Sequence, residues 1–310
     1  MNPKNCLHIL NGDGTYYGFK DSGIKDDFTV WREALALGPV VTNINSDQFR
    51  KMRSEFLSVL SEEDIDYNHV IAVDNFSKSK NGQFDKFVLW FEFDLFCQIN
   101  MIAVLWLIRQ NKISTKISLI SLDSFPGHPH FKGYGELNGE EQRQLLTHQI
   151  ILHEDDIQTA AKVWELYSGT DQLALQDYIE TADLTRLPHL RTAIKNHFKR
   201  FPNTENGLNE IEIDILKRIQ SGLESERKLV GSILQNDRYF SLGDLFYFDS
   251  LKRLSDCFES TDAGLRLTET GEKLLANQLN FSDIADAFPI AGTHSNQFSY
   301  DRQSQRLLAN

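Results

Sequence analysis

Phe87-Val88-Leu89-Trp90-Phe91-Glu92-Phe93-Asp94-Leu95-Phe96-Cys97-Gln98 is the stretch on which the fold turns. The unbroken apolar run from Phe87 to Phe91 predicts a strand buried on both faces. Glu92 and Asp94 end it, and the pattern predicts a helix directly afterwards, from Leu95 to about Arg109. Strand running into helix is half of a βαβ unit, and the chain repeats the arrangement on either side. Leu7 to Leu10 reads as a strand entering a tight loop, Asn11-Gly12-Asp13-Gly14, with a helix from Thr15 to Ser22 that stops at Gly23. Phe28-Thr29-Val30-Trp31 reads as a second strand, followed by Arg32-Glu33 and a turn around Gly38-Pro39. Ser46 and Asp47 suit the cap of a helix carrying Phe49, Met52, Phe56, Leu57 and Leu60 at helical spacing. His69 to Val73 reads as another strand, and Ser77 to Gln83 as a polar loop. Ile117 to Leu122 gives a further strand, ended by Asp123-Ser124-Phe125-Pro126-Gly127. Alternating strands and helices predict an α/β domain over residues 1–140, with a doubly wound, mainly parallel sheet.

The pattern changes downstream. Residues 141–204 read as an all-helical segment that includes Ala160, Ala161, Val163, Trp164 and Tyr167. Leu187-Pro188-His189-Leu190 opens its last helix and Phe201-Pro202-Asn203 ends it. Asn203 to Leu208 reads as a linker. Residues 205–280 suggest a winged-helix-like domain: a helix over Glu210 to Gln220, a second opened by Ser241-Leu242-Gly243-Asp244, a strand at Leu265-Arg266-Leu267-Thr268, and a helical turn to Ala276. Residues 281–310 lack periodicity and are expected as an irregular tail. No internal repeat is present.

Bulk properties limit the function classes. The 310 residues carry a formal net charge of −12, and acids outnumber Lys and Arg in every third of the chain. Phosphate backbones are bound by Lys and Arg, so a dominant nucleic-acid role is disfavoured. Cys6, Cys97 and Cys257 are too few and too scattered for a disulfide framework or a paired-cysteine zinc site. The start of the chain lacks the apolar core of a signal peptide. Phe87 to Ile108 is the most apolar stretch, yet it holds Glu92, Asp94, Gln98 and Asn100, which suits a buried strand and helix better than a membrane span. A soluble, cytoplasmic protein with no membrane partner is the expectation.

In an open parallel sheet, ligands sit beyond the carboxyl ends of the strands, where strand order reverses. Three expected strands end in polar residues: Asn11 and Asp13, then Arg32 and Glu33, then Glu92 and Asp94. Gln98 lies one helical turn after Asp94. These seven residues could share one crevice. Clustered carboxylates raise one another's pKa and are relieved by a cation. Asp13, Glu92 and Asp94, with Glu33 and Asn11 nearby, could therefore hold a divalent metal through oxygen ligands. Asp13 and Glu92 could instead divide into general acid and general base, with His8 as a third catalytic candidate. Asn11 and Gln98 would then orient a small ligand and Arg32 would neutralise an anionic group on it, with Glu33 completing the ligand-binding set.

Each residue also has a structural explanation. Asp94 can be a helix N-cap, Arg32 and Glu33 members of a buried ion network, and Asn11-Gly12-Asp13-Gly14 simple turn chemistry. His8 can be a core histidine, and Cys97, early in an apolar helix, reads as core. His128-Pro129-His130 supplies two metal-type side chains and no third, so it reads as a loop. Phe131-Lys132-Gly133-Tyr134-Gly135 reads as a loop able to close over the crevice. Arg191, Lys195, Lys199 and Arg200 form a basic run that suits a solvated helix face.

Several of these motifs together resemble a bacterial family catalogued as domain of unknown function 1835. The resemblance rests on Leu7-His8-Ile9-Leu10-Asn11-Gly12-Asp13, on Trp31-Arg32-Glu33-Ala34-Leu35 with Gly38-Pro39, and on Leu89-Trp90-Phe91-Glu92-x-Asp94-Leu95-Phe96-Cys97-Gln98. It extends through Phe131-x-Gly133-x-Gly135-x-Leu137, Leu187-Pro188, Phe201-Pro202, Asn206-Gly207-Leu208, Gly243-Asp244 and Leu267-Thr268-x-x-Gly271. The tail departs from the family pattern: Ala291-Gly292 and Phe298-Ser299-Tyr300-Asp301 stand where a glycine pair and a tryptophan-containing segment are usual. The resemblance implies an architecture and no established activity. Two functional expectations follow from the residues. One is a small-ligand or metal site, with hydrolysis or group transfer as its chemistry. The other is a non-catalytic regulator whose C-terminal module binds protein or, less suitably for its charge, nucleic acid.

Overall fold

The computed structural model describes residues 5–65, 67 and 84–310. The expected strand over His69 to Val73 and the loop over Ser77 to Gln83 lie outside the described residues.

Among those residues the N-terminal part forms one five-stranded sheet. Its strands are β1 (Cys6–Asn11), β2 (Asp27–Trp31), β3 (Lys86–Trp90), β4 (Lys116–Ile120) and β5 (Ile150–Leu152), in the order β2-β1-β3-β4-β5. The first four run parallel, and β5 is antiparallel to β4. Helix α1 (Gly12–Asp21) follows β1, α2 (Asp47–Ser61) lies between β2 and β3, and α3 (Leu95–Gln110) joins β3 to β4. Both faces are covered, as the apolar runs predict. Leu7, Ile9, Phe87, Leu89, Ile117 and Leu119 enter one core with α3. Leu10, Val30, Val88, Trp90 and Ile120 enter another with Phe19 of α1 and the segment around Tyr134 and Leu137.

The Asn11–Gly14 stretch is shorter as a loop than expected. Gly12 turns the chain at φ +75°, a conformation that side-chain-bearing residues rarely adopt, and α1 starts there. Ser46 caps α2, its side chain accepting from the Phe49 N–H. Helix α3 is buried nearly all round, with Phe96 its one partly exposed residue before Arg109. A helix apolar on every side needs cover on every side. The sheet covers one flank, and α5 (Glu154–Tyr167) and α7 (Leu190–Phe198) the other. Among the described residues no helix is long and apolar enough to cross a membrane.

The middle segment is mainly helical, through α4 (Gly139–Leu145), α5, α6 (Gln172–Thr181) and α7, but it also contributes β5 to the sheet edge. Asn203 to Leu208 is no free linker. Asn203 and Asn206 are buried, and their side chains bond Leu208 O, Leu274 O and each other. Downstream come α8 (Glu210–Gln220), α9 (Glu226–Asn236) and α10 (Asp244–Arg253), then the hairpin β6 (Phe258–Thr261) and β7 (Gly264–Leu267), then α11 (Glu269–Leu275). Three helices, a hairpin and a closing helix stand where two helices, one strand and a helical turn were expected, so the segment is only loosely consistent with a winged-helix-like module. Helix α9 was not anticipated.

The tail is ordered, contrary to expectation. It forms β8 (Pro289–Ile290) with β9 (Thr293–His294), and β10 (Phe298–Asp301) with β11 (Arg306–Ala309). Ala291 donates to Gly38 O at 3.1 Å and accepts from the Val40 N–H at 2.9 Å. Tyr300 likewise donates to Pro202 O at 2.8 Å. The C-terminal module touches the sheet's crevice as well: Leu95 and Phe96, at the start of α3, donate to the carbonyls of Tyr239 and Phe240 at 2.8 and 3.2 Å.

Candidate functional site

Strand order reverses between β1 and β3. The chain leaves β1 toward β2 on one side and leaves β3 toward β4 on the other. The crevice rule therefore points just beyond Asn11 and Trp90. A buried polar chain lies there. The Asn11 amide donates from Nδ2 to Cys97 Sγ at 2.9 Å, and the Cys97 thiol donates to Glu92 Oε2 at 3.1 Å. The other carboxyl oxygen, Oε1, accepts the Tyr134 backbone N–H at 2.9 Å. Asn100 donates to Asn11 Oδ1 at 2.9 Å and to Glu33 O at 2.7 Å. Gln98 donates to Glu92 O at 2.6 Å and to Ser121 Oγ at 3.2 Å.

Asp94 is the N-cap of α3, its Oδ1 accepting the Cys97 N–H at 2.8 Å. The free N–H groups of a helix start attract anions. Here Asp94 and the carbonyls of Tyr239 and Phe240 already occupy three of them.

The segment expected to close over the crevice lies on it. Phe131 and Tyr134 are fully buried, and the Tyr134 hydroxyl accepts the Leu122 N–H at 3.1 Å. One glycine eases the approach: a Cβ on Gly133 would stand 3.0 Å from Glu92 Oε1.

Burial governs the titration of this cluster. It raises Glu92 above the usual carboxyl range, against the opposing hydrogen bonds from Tyr134 and Cys97. Burial, with the neighbouring Glu92 charge, pushes Asp94 up to about 7. The Cys97 thiol is raised well above its ordinary value by burial and by the charges of Asp94 and Glu92. A thiol so placed is a hydrogen-bond donor and a poor nucleophile.

The side chains of the other expected site residues do not join this chain of contacts; Glu33 enters it by its backbone carbonyl alone. Asp13 pairs with Arg32 in a bidentate bond at 2.9–3.0 Å, with side chains 47% and 41% exposed. Glu33 points into the protein, where Arg53 Nη2 donates to its Oε1 at 2.8 Å and the Tyr67 hydroxyl donates to its Oε2. Arg53 also donates to the carbonyls of Leu37, Pro39 and Ala34. Glu33 is thus a member of a buried strut. His8 lies between Phe19 and Trp90, in the core opposite the one that Asn11 borders. The Trp90 indole donates to its Nδ1 at 3.0 Å, and Asp26 stands 3.5 Å from its Nε2. Burial lowers the His8 pKa despite Asp26. It is a core histidine.

Asp13, Glu92 and Asp94 were expected to share a metal. Among the described residues, no group of three or more His, Cys, Asp and Glu side chains is arranged to hold one. His128 bonds Glu141 instead, at 3.1 Å.

Sequence reasoning missed Cys97, Asn100 and Tyr134 as members of the cluster. A signal was available for two of them. Cys97 and Asn100 are three apart on one helix face, and an asparagine in so apolar a helix demands a buried partner. No protein-family model matches the chain, and no curated protein matches it.

Proposed function

We propose that the crevice beyond β1 and β3 binds a small polar ligand, with the 131–137 segment as its cover. The observation that carries this reading is the double engagement of Glu92, bonded to Cys97 on the floor and to the Tyr134 N–H on the cover. A ligand with hydrogen-bonding groups would take over those partners, and Asn11 and Gln98 flank the same point. In the catalytic version Glu92 acts as general acid or base in hydrolysis or group transfer. A divalent cation is the less suitable occupant, because only Glu92 and Asp94 would face it and both already accept protein donors. The motif likeness to domain of unknown function 1835 belongs to this proposal and adds no chemistry to it.

The test is a melting screen of the purified chain against metals, nucleotides and common metabolites. A ligand that binds the folded state must raise its apparent stability. An upward shift that Glu92→Gln abolishes supports the reading. Absence of any shift, with Glu92→Gln merely less stable, refutes it.

A regulatory reading has one specific observation in its favour. The start of α3 is tied by backbone bonds to Tyr239 and Phe240, between α9 and α10 of the C-terminal module. Displacement of the crevice floor would be felt there. The acidic balance of that region suits a protein partner better than nucleic acid. Ligand-dependent hydrogen exchange confined to residues 237–244 would favour this version, and unchanged exchange there would remove it.

A further inference from the structure

Trp90 supports the 131–137 segment, and a titratable group holds Trp90. The indole Nε1–H donates to His8 Nδ1 at 3.0 Å inside the core. The same ring meets the Tyr134 ring edge-on, with centroids 6.2 Å apart, and the Phe19 ring at 5.4 Å. Tyr134 is the residue whose backbone N–H reaches Glu92. A hydrogen bond and then a ring edge therefore join His8 to the cover. Phe131 and Leu137, also of the cover, share this apolar cluster.

An indole N–H donates and does not accept, so His8 Nδ1 must be the acceptor. The imidazole is thus neutral, with its proton on Nε2, which Asp26 faces at 3.5 Å. An imidazolium carries a donor on each nitrogen and has no acceptor. Protonated His8 would set its own N–H against the indole N–H and leave a buried donor unpaired. His8 is only 2% exposed, so water does not relieve the conflict and Trp90 has to move. Burial lowers the His8 pKa; Asp26, before β2, opposes this and Lys86 of β3 adds to it. Those are the charged groups acting on the ring among the described residues, and α1 presents the apolar Phe19 to it. The closed arrangement disfavours the proton. Its stability is present above the ordinary imidazole value of 6.5 and is lost as pH falls below it.

We propose that His8 is a pH latch on the crevice cover: a proton on His8 breaks the Trp90 hydrogen bond, frees the indole and lets Tyr134 leave Glu92. The latch rests on the contacts of the 131–137 segment and not on the nature of any ligand.

The experiment is amide hydrogen exchange of the full chain from about pH 7.5 to about pH 5, the range in which imidazoles titrate. The parent is compared with His8→Gln at each pH, because glutamine keeps a carbonyl acceptor that does not titrate. Comparison at equal pH cancels the intrinsic pH dependence of exchange and the titration of Glu92 and Asp94. Exchange of residues 131–137 in the parent is expected to rise below pH 6.5, by up to about tenfold per pH unit relative to His8→Gln. The Trp90 indole N–H, identified by its loss in Trp90→Phe, is expected to shift in the parent's NMR spectrum over the same range and to stay fixed in His8→Gln. Asp26→Asn removes the charge that favours the proton and is expected to move both changes to lower pH. This half-exposed position carries the test if His8→Gln folds poorly. Glu92→Gln is expected to leave the indole titration in place, which separates the latch from the crevice carboxyls. Equal exchange in parent and His8→Gln at every pH, an indole signal that does not titrate, or a rise spread over the whole chain overturns the proposal.

Discussion

Arg53 donates to Glu33 across 2.8 Å in a space closed to solvent, the two side chains being 0% and 1% exposed. Glu33 therefore holds the loop after β2 together and is withdrawn from any ligand. Removing one partner strands a buried charge, so Arg53→Met is expected to cost about 3–5 kcal/mol. The double variant Arg53→Met with Glu33→Leu is expected to cost less than the sum of the two single variants. Urea unfolding of the four proteins measures this, and strict additivity would contradict the strut.

The Asp13–Arg32 pair is the opposite case. Both side chains are well exposed and water screens them, so Asp13→Ala is expected to cost at most about 1 kcal/mol. Asp13 faces Arg32 at the surface and not the buried chain around Glu92. Ligand binding lost on Asp13→Ala, with the fold intact, would move the site outward to the surface pair.

Asp94 gives the clearest pH dependence. Its carboxyl is pushed from 3.8 up to about 7 in the folded chain. Between those values the folded state holds a proton that the unfolded state releases, so this contribution to stability is present at low pH and lost as pH rises through 7. Asp94→Asn keeps a competent helix cap and does not titrate. Its stability relative to the parent is expected to improve between pH 4 and 7, by at most about 1.4 kcal/mol per pH unit, and to level off above. Denaturation series at several pH values read it directly, and a pH-independent difference would return Asp94 to the ordinary carboxyl range.

Thiol labelling reports on the cover. Cys97 and Cys257 are buried and their thiols are raised, so a thiol reagent is expected to reach Cys6 well before either. Labelling of Cys97 as fast as that of an unfolded control would mean that the 131–137 segment does not protect it.

The tail makes a steric prediction. A Cβ on Gly292 would stand 2.1 Å from Ser168 O, a backbone atom with little freedom to retreat. Gly292→Ala is therefore expected to destabilise by roughly 1–3 kcal/mol. A neutral effect in thermal melting would mean that the tail docks loosely.

The parallel part of the sheet could be read from sequence because β1, β3 and β4 are short, mainly apolar and buried along most of their length. Strand β5 could not, since three residues carry no period. Helix α9 shows only Leu229, Val230 and Ile233 as buried positions, too short a stripe to stand out. Asn203 to Leu208 has the composition of a linker, yet the same asparagines serve as buried hydrogen-bond partners for the backbone. Composition does not distinguish the two uses. At the site, Asn11, Glu92 and Gln98 meet as expected. His8 falls on the opposite face by the two-residue alternation of a strand, a parity already visible in the sequence. The Glu33–Arg53 contact joins a strand end to a helix across an intervening loop, and no local pattern encodes it.

The contact of Ala291 with Gly38 and Val40 also has a consequence in time. The turn at Gly38 receives its backbone partner only after some 250 further residues have been joined. At about 5–20 residues per second, that wait is on the order of ten to fifty seconds. The nascent chain spends it with an unfinished seam at that turn.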